Sequence, residues 1–457
     1  MRPDPSHKSA RTAAAEALAR FDPRRERIDT EALLADTLEK QRATDLVSAV
    51  IRNLAAIDHT ITAFSGCPVQ RITGDLLAIL RVAACELIYR PQTPDYSILS
   101  EAVQAAKQSR GPRQAAFVNA VGRRIQRHIV SRQGPLEPAA ARCTLPQTPD
   151  SGCRFDTDIL PDPDEEPAAY LSAAFSLPVW LVRDWLACLG PDHARRICEA
   201  SNRNPGLYIR PNALRTTPDN LLQTMIMAGI DGQITPDGRL IRLHSPHAVA
   251  DLPGYADGLF SVQDPAAARA VALLAPQGGW TILDPCAAPG TKTTQLAEAA
   301  GDKARIIASD INAGRLQRVR ENAERLGLGS VETVAHADLP AAIDAAGPID
   351  AVLLDVPCSN TGVLARRVEV RHRITAGAVG QLAAGQRRLL ETYAAALKPG
   401  GRLCYSTCSI QTCENRAVID AFLKQHDEFE LVGEELLLPA AGPFDHDGAY
   451  ATILLRR

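Results

Sequence analysis

Two cysteines stand where they could do covalent chemistry: Cys358 in Asp355-Val-Pro-Cys358-Ser-Asn-Thr-Gly362 and Cys408 in Tyr405-Ser-Thr-Cys408-Ser409. Each lies just past an apolar segment that reads as a strand. A structural cysteine usually sits within a strand as a small hydrophobe. Beyond the strand end, among Ser, Thr and Pro, a thiol is reachable and its thiolate, the form that attacks carbon, can be hydrogen-bonded. Asp355, three residues before Cys358, is placed to assist with a proton. The other cysteines read differently. Cys85, Cys188, Cys198 and Cys404 fall in apolar periodic contexts and are expected in the core, whereas Cys67, Cys143, Cys153 and Cys413 suggest no role.

A second group of residues has the form of a cofactor loop. Asp284-Pro-Cys286-Ala287-Ala288-Pro289-Gly290-Thr-Lys292 follows a predicted strand, Trp280–Asp284, and opens a predicted helix, Thr293–Ala300. It has neither the GxGxxG of dinucleotide binding nor P-loop spacing, which disfavours a dehydrogenase or an ATPase. A small loop with one glycine, its shape held by prolines, suits close backbone approach to a cationic, phosphate-free cofactor. A tight turn packing helix on sheet would look the same if the loop stood alone. Further acids follow in order, however. Asp310 ends the next strand, where a carboxylate can accept ribose hydroxyls, and Asp338 follows a third, where it could bind an adenine amino group. Arg315 begins the intervening helix as a further candidate contact. Cys286, inside the loop, is expected to shape it rather than react.

These residues need a scaffold, and the chain supplies a strand–loop–helix rhythm from about Phe260 onward. Arg305–Asp310, Val331–Ala335, Ile349–Asp355 and Gly401–Tyr405 read as further strands, with helices over 313–326 and 381–397. Such alternation predicts a mostly parallel sheet covered on both faces, with ligands beyond the carboxyl ends of its strands. The segment from Ser9 to Arg132 repeats apolar residues at helical spacing (Leu46, Val50, Leu54, Ile57) and predicts an all-α bundle. Residues 134–167 are rich in Pro, Asp and Glu and read as an acidic linker. Residues 168–257 read as a small α/β module with helices over 178–184, 194–202 and 221–228 and a strand over 207–210. The expected domains are therefore 1–133, 168–257 and 258–457, joined by the linker.

Composition bounds the rest. A chain of 457 residues is long for one core. Eleven scattered cysteines fit free thiols in a reducing compartment. No Cys/His spacing suggests a metal, no apolar run is long enough for a bilayer, and the basic start lacks a signal-peptide core, so a cytoplasmic protein is expected. The formal net charge is −3, but residues 1–133 carry 20 Lys+Arg against 14 Asp+Glu, whereas 134–169 carry 2 against 8. An acidic connector thus masks a basic N-terminal part, and it is the local surface that phosphates meet.

Taken together, the motifs resemble the RNA 5-methylcytosine methyltransferases of the Nol1/Nop2/Sun family along residues 260–457. The match rests on Phe260-Ser-Val-Gln-Asp264-Pro-Ala, Asp284-Pro-Cys-Ala-Ala-Pro-Gly290, Asp310, Asp338 and the paired PCS and TCS cysteines. The resemblance implies a Rossmann-like class I methyltransferase domain with S-adenosyl-L-methionine (AdoMet) over the 284–292 loop, Asp310 at its ribose and Asp338 at its adenine. It implies that Cys408 is the nucleophile and that Cys358 assists release of the methylated RNA. That chemistry is coherent, because carbon 5 of cytosine is a poor nucleophile until a thiolate adds to carbon 6. Asp355 would then contact the base at N3, with the base splayed out of its stack. The N-terminal bundle resembles the RNA-binding NusB fold, through Val50-Ile-Arg-Asn-Leu, Leu80-Arg-Val-Ala-Ala-Cys-Glu-Leu and Phe117-Val-Asn-Ala-Val-Gly122. This fusion points to RNA, in particular 16S rRNA, as partner. A tRNA substrate and a non-catalytic assembly factor stay open, with a monomer as the default state. Two positions depart from the family pattern. Thr291 replaces a second glycine, and the basic stretch Ala365–Arg373, expected to touch RNA backbone, has His372 where an aromatic is common.

Overall fold

The computed structural model describes residues 8–23, 34, 37–245 and 247–457, and divides into two compact units. One comprises Met1–Arg203 with Leu364–Ile374, the other Asn204–Val363 with Thr375–Arg457. The helical expectation over residues 24–33, 35 and 36, and the basic start over 1–7, lie outside the described residues.

In the first unit, helices α1 (Ala10–Arg20), α2 (Lys40–Arg52), α3 (Leu54–Ser65), α4 (Gly74–Tyr89), α5 (Asp95–Arg110) and α6 (Pro112–His128) form the bundle. Ser9 caps α1 by accepting the Thr12 amide, and Gly66, at φ 72°, ends α3 in the left-handed conformation that favours glycine. Helix α4 is apolar almost all round and packs on the other five; Leu80, Leu87 and Ile88 are fully enclosed. Its last carbonyls are satisfied by Arg132, which donates to the oxygens of Glu86, Leu87 and Arg90 at 2.7–3.0 Å.

The linker expectation is corrected here. Strands β1 (Ile129–Pro135), β2 (Thr144–Pro146) and β3 (Ser151–Phe155) make a three-stranded antiparallel sheet in the order β1-β3-β2. Its prolines lie at strand ends, where no ladder hydrogen bond is lost. Leu145 pairs with Cys153, and both are buried with Phe155 and Leu160. Composition concealed a few well-placed apolar residues. Helices α7 (Pro167–Phe175), α8 (Val179–Leu189) and α9 (Pro191–Asn202) follow this sheet and pack within the same compact unit. Cys188, expected in the core, is exposed near the end of α8.

A second correction concerns the basic stretch. Arg371, in the turn Val370–Arg373, is 2% exposed and donates to the carbonyls of Arg52 (2.8 Å), Phe175 (3.1 Å), Ser201 (2.7 Å) and Leu364 (3.1 Å) and to Asn202 Oδ1. Burial pushes its pKa down to about 9. The His372 ring lies 2.7 Å from the Ile51 carbonyl oxygen. These side chains serve packing, and only Arg366 and Arg373 of the segment are exposed.

The second unit begins with a four-stranded antiparallel sheet in the order β5-β6-β4-β7, from β4 (Leu207–Pro211), β5 (Gly232–Ile234), β6 (Ile241–Leu243) and β7 (Phe260–Val262), with helix α10 (Pro218–Met227) packed on it. After α11 (Pro265–Leu274), the strands β8 (Thr281–Asp284), β9 (Arg305–Ala308), β10 (Val331–Thr333), β11 (Ile349–Asp355), β12 (Leu397–Thr407), β13 (Phe429–Leu437) and β14 (Ala449–Arg456) form a seven-stranded sheet in the order β10-β9-β8-β11-β12-β14-β13. The first five are parallel, and β14 pairs antiparallel with both β12 and β13. Side chains alternate across it. Val352 and Leu354 pack beneath helices α14 (Leu339–Ala346), α15 (Ala376–Ala394) and α16 (Arg416–Leu423), whereas Ala351 and Leu353 face α11, α12 (Thr291–Ala299) and α13 (Ala313–Leu326). The strand order reverses between β8 and β11, so their carboxyl ends frame a crevice. No helix among the described residues is long and apolar enough to cross a membrane.

Candidate active site

Strand β8 delivers Asp284 to that crevice almost wholly buried. Thr293 donates to its Oδ2 at 2.7 Å, while Oδ1 has no hydrogen-bond partner. Burial, the dominant cause, pushes its pKa up to about 7. The loop after it folds back through Ala287 N to Ser309 O and Gly290 N to Ala287 O, both 2.8 Å. Gly290 has φ 102°, and a Cβ there would come within 3.0 Å of the Val319 backbone, so this position demands glycine. An open cavity of about 610 Å³ lies above the loop, lined by Asp284, residues 286–289, Lys292 and Asp355. An unpartnered buried carboxylate oxygen at its base suits a cationic cofactor, so the residues fit the expected group.

The remaining sequence-predicted residues divide. Asp310 backs the loop. Its Oδ2 accepts Ala288 N (3.3 Å), its Oδ1 accepts Asn312 N (2.9 Å), and Arg315 donates to Ala288 O (2.6 Å). Cys286 packs against the sheet core, and burial pushes its thiol pKa well up, as befits a shaping residue. Asp338 is exposed at the start of α14, and like Asp310 and Arg315 it lines neither of the cavities described here.

Lys292 reaches across from α12 to Asp355 at the end of β11, Nζ to Oδ1 2.6 Å. Burial opposes the lysine charge, but Asp355 outweighs it and holds the pKa above its ordinary value. Ser406 donates to the same Oδ1 at 2.6 Å. Parallel pairing aligns Asp355 with Ser406, which brings the segments following the two strands side by side. There the Sγ atoms of Cys358 and Cys408 stand 3.1 Å apart, both half-buried. Asn360, in the left-handed region at φ 61°, donates to Cys358 O and offers Oδ1 to the Cys408 thiol at 3.4 Å. The hydrogen bond to Cys408, then burial, pushes the Cys358 thiol well up. A second cavity, about 430 Å³, opens beside Cys408 between Lys292, Asp264 and Asp447.

Gly362 allows this close approach. Its amide donates to Cys408 O at 3.0 Å, and a Cβ would meet Gly448 O at 2.5 Å. Gly362→Ala is therefore expected to destabilise the protein by about 1–3 kcal/mol, read as a lowered denaturant midpoint at unchanged slope. A second expectation concerns pH. Asp284 keeps its proton to about pH 7 when folded but releases it near 4 when unfolded. The unfolded state thus gains the advantage as pH rises from about 4 to 7, and the ligand-free protein loses stability across that window. Asp284→Asn should flatten this dependence in thermal melts taken at each pH.

The family model for the 16S rRNA methyltransferase RsmB/F matches residues 271–442, the NusB family model matches 8–127, and a ferredoxin-like domain of RsmF/B-like methyltransferases matches 177–250. The ribosomal RNA small subunit methyltransferase B of Serratia proteamaculans is 34% identical over 397 residues, covering 86% of this chain and 84% of that protein. The chain belongs to the ribosomal RNA small subunit methyltransferase B family. The family member of Yersinia enterocolitica is 32% identical over 430 residues, 92% of this chain and 91% of that protein. The crystal structure of PH0851 shares the fold, with a TM-score of 0.72 at 23% identity over 98% of this chain and 99% of that one. Membership makes this an rRNA methyltransferase whose methyl donor is AdoMet, built from a NusB domain, a ferredoxin-like module and a Rossmann-like catalytic domain.

Sequence reasoning assigned no role to Asp284, Ser406, Asn360 or Glu414, and took Lys292 only as a cofactor contact. Asp284 carried a signal, since it is the acid that ends a strand and opens the loop. Ser406 and Asn360 lie inside the two cysteine motifs, whereas the Glu414 contacts have no linear signature.

Proposed function

We propose that this enzyme methylates carbon 5 of a cytosine in small-subunit rRNA through a covalent bond from Cys408 to carbon 6. The observation that carries the reading is the 3.1 Å thiol pair beside the Lys292–Asp355 ion pair, at strand ends that border the cofactor loop. Asp284, the backbone of 286–290, Asp310, Arg315 and Asp338 would hold AdoMet, with Asp310 at the ribose and Asp338 at the adenine. When bound, AdoMet supplies an electrophilic methyl group.

The protein's own residues do the rest. Asn360 orients Cys408, and Lys292 places a positive charge in the cavity that Cys408 lines. As that thiolate adds to carbon 6, Asp355, held by Lys292 and Ser406, meets the N3 edge of the base and stabilises it in the protonated form. Carbon 5 then carries both its hydrogen and the incoming methyl, and that proton must leave before Cys408 can be eliminated. Cys358 is the base for this step. In the resting site its proton is held chiefly by the bond to Cys408. Once Cys408 is bonded to carbon that hydrogen bond is gone, so Cys358 can give its proton to water and, as a thiolate, accept the carbon-5 proton. Exposed Arg113, Arg123, Arg124 and Arg127 on α6 suit phosphate contacts, and the ferredoxin-like module adds further RNA contacts.

Bisulfite sequencing of total RNA from cells with and without the gene tests the substrate. One small-subunit rRNA cytosine should lose protection in the deletion. A lost tRNA site would overturn the substrate, and no change anywhere would favour a non-catalytic assembly role.

A further inference from the structure

One buried carboxylate ties the two cysteine segments together. Glu414 is 0% exposed, in the turn Thr412–Glu414 that follows β12. Its Oε1 accepts Ser359 N (2.8 Å) and Gln386 Nε2 (3.0 Å); its Oε2 accepts the Ser409 hydroxyl (2.5 Å) and the Ser359 hydroxyl. Ser359 and Ser409 are the residues immediately after Cys358 and Cys408, and their hydroxyls also meet at 3.1 Å. A second layer braces the first. Tyr405 donates to the Glu414 carbonyl (2.6 Å), and Gln386 donates to Pro357 O (3.0 Å), just before Cys358.

Burying a carboxylate away from any cation is costly, and no salt bridge to Glu414 occurs among the described residues. Were the role only to fill the core, an apolar side chain would serve at lower cost. Four donors converging on one carboxylate instead fix the relative placement of two loops beyond a parallel ladder whose register ends at Asp355 and Ser406, adding to the backbone bond from Gly362 N to Cys408 O. The charge also bears on the thiol pair. Charge on Cys408 and on Glu414 raises the Cys358 pKa, Cys358 acts likewise on Tyr405, and Lys292 feels both Asp355 and Cys408.

We propose that Glu414 is a positioning residue of the methyl-transfer reaction, clamping Ser359 and Ser409 so that the Cys358 and Cys408 thiols stay in contact. This rests on the assignment of Cys408 as nucleophile and Cys358 as base. In Glu414→Gln the side chain keeps its shape, and rotated hydroxyls can still bond to it, so the change is chiefly loss of charge. Its single-turnover methylation rate is expected to fall roughly 10- to 100-fold. AdoMet affinity by calorimetry should stay within about twofold, because no Glu414 contact reaches the cofactor loop. The pH midpoint for iodoacetamide alkylation of Cys358, followed by peptide mass spectrometry, should move down by about half a unit or more. Glu414→Asp, which keeps charge but shortens the reach, should retain that midpoint while still losing rate.

Wild-type rate and an unmoved Cys358 midpoint in Glu414→Gln would overturn the proposal and leave Glu414 as packing. If Glu414 variants do not fold, the double variant Ser359→Ala/Ser409→Ala removes both hydroxyl bonds to Glu414 while keeping the carboxylate and the Ser359 amide bond; it must lose rate at unchanged AdoMet affinity, and full activity in it would overturn the proposal equally. Failure of the underlying assignment looks different: the wild-type enzyme itself would then form no Cys408 adduct with RNA.

Discussion

Cys408→Ser lowers methyl transfer by roughly 1,000-fold or more, because a hydroxyl at this position stays protonated and cannot add to carbon 6 as a thiolate does. The loss should fall on the rate constant. Cys408 contacts Cys358 and Asn360 but does not line the cavity above the 286–290 loop, so AdoMet affinity measured by calorimetry should stay within about twofold of wild type. Serine is close to cysteine in size, so the melting temperature should also hold. A variant that lost rate, affinity and stability together would indicate a collapsed site and say nothing about the nucleophile.

Cys358→Ser has the opposite signature: it accumulates enzyme covalently bound to RNA. Addition to carbon 6 needs Cys408, Lys292 and Asp355, all intact in this variant. Release needs a base for the carbon-5 proton within reach of the adduct, and Cys358 is the thiol 3.1 Å away. With AdoMet and rRNA, a band migrating as the enzyme–RNA complex should survive denaturing electrophoresis in Cys358→Ser and be absent in Cys358→Ser/Cys408→Ser. If Cys408→Ser forms the band and Cys358→Ser does not, the two roles are exchanged.

The parts legible in the sequence were those whose signal is local. The strand ending in Asp284, the loop to Lys292 and the two cysteine motifs each occupy a few consecutive residues, and the parallel sheet then fixes where their ends lie. What was illegible depended on partners far along the chain. Glu414 takes its donors from residues 55 and 28 positions away, and nothing in Thr412-Cys-Glu414 announces them. Composition misled in two places. Pro and Asp density in residues 134–167 concealed the Leu145–Cys153 pairing that lets a small sheet form. Positive charge in the segment 365–373 suggested an RNA surface, yet Arg371 spends its guanidinium on buried carbonyls. A count of charges does not say which of them face solvent.

The covalent bond itself is the claim on which the account turns, and it can be trapped in the unmodified enzyme. An rRNA fragment carrying 5-fluorocytosine places fluorine where the departing proton should be, so the adduct cannot resolve after methylation. Wild-type protein incubated with this RNA and AdoMet, then digested and mapped by mass spectrometry, should carry the modified nucleotide on the peptide containing Cys408. A nucleotide attached to Cys358, or no attachment despite methylation of the unfluorinated fragment, would contradict the account.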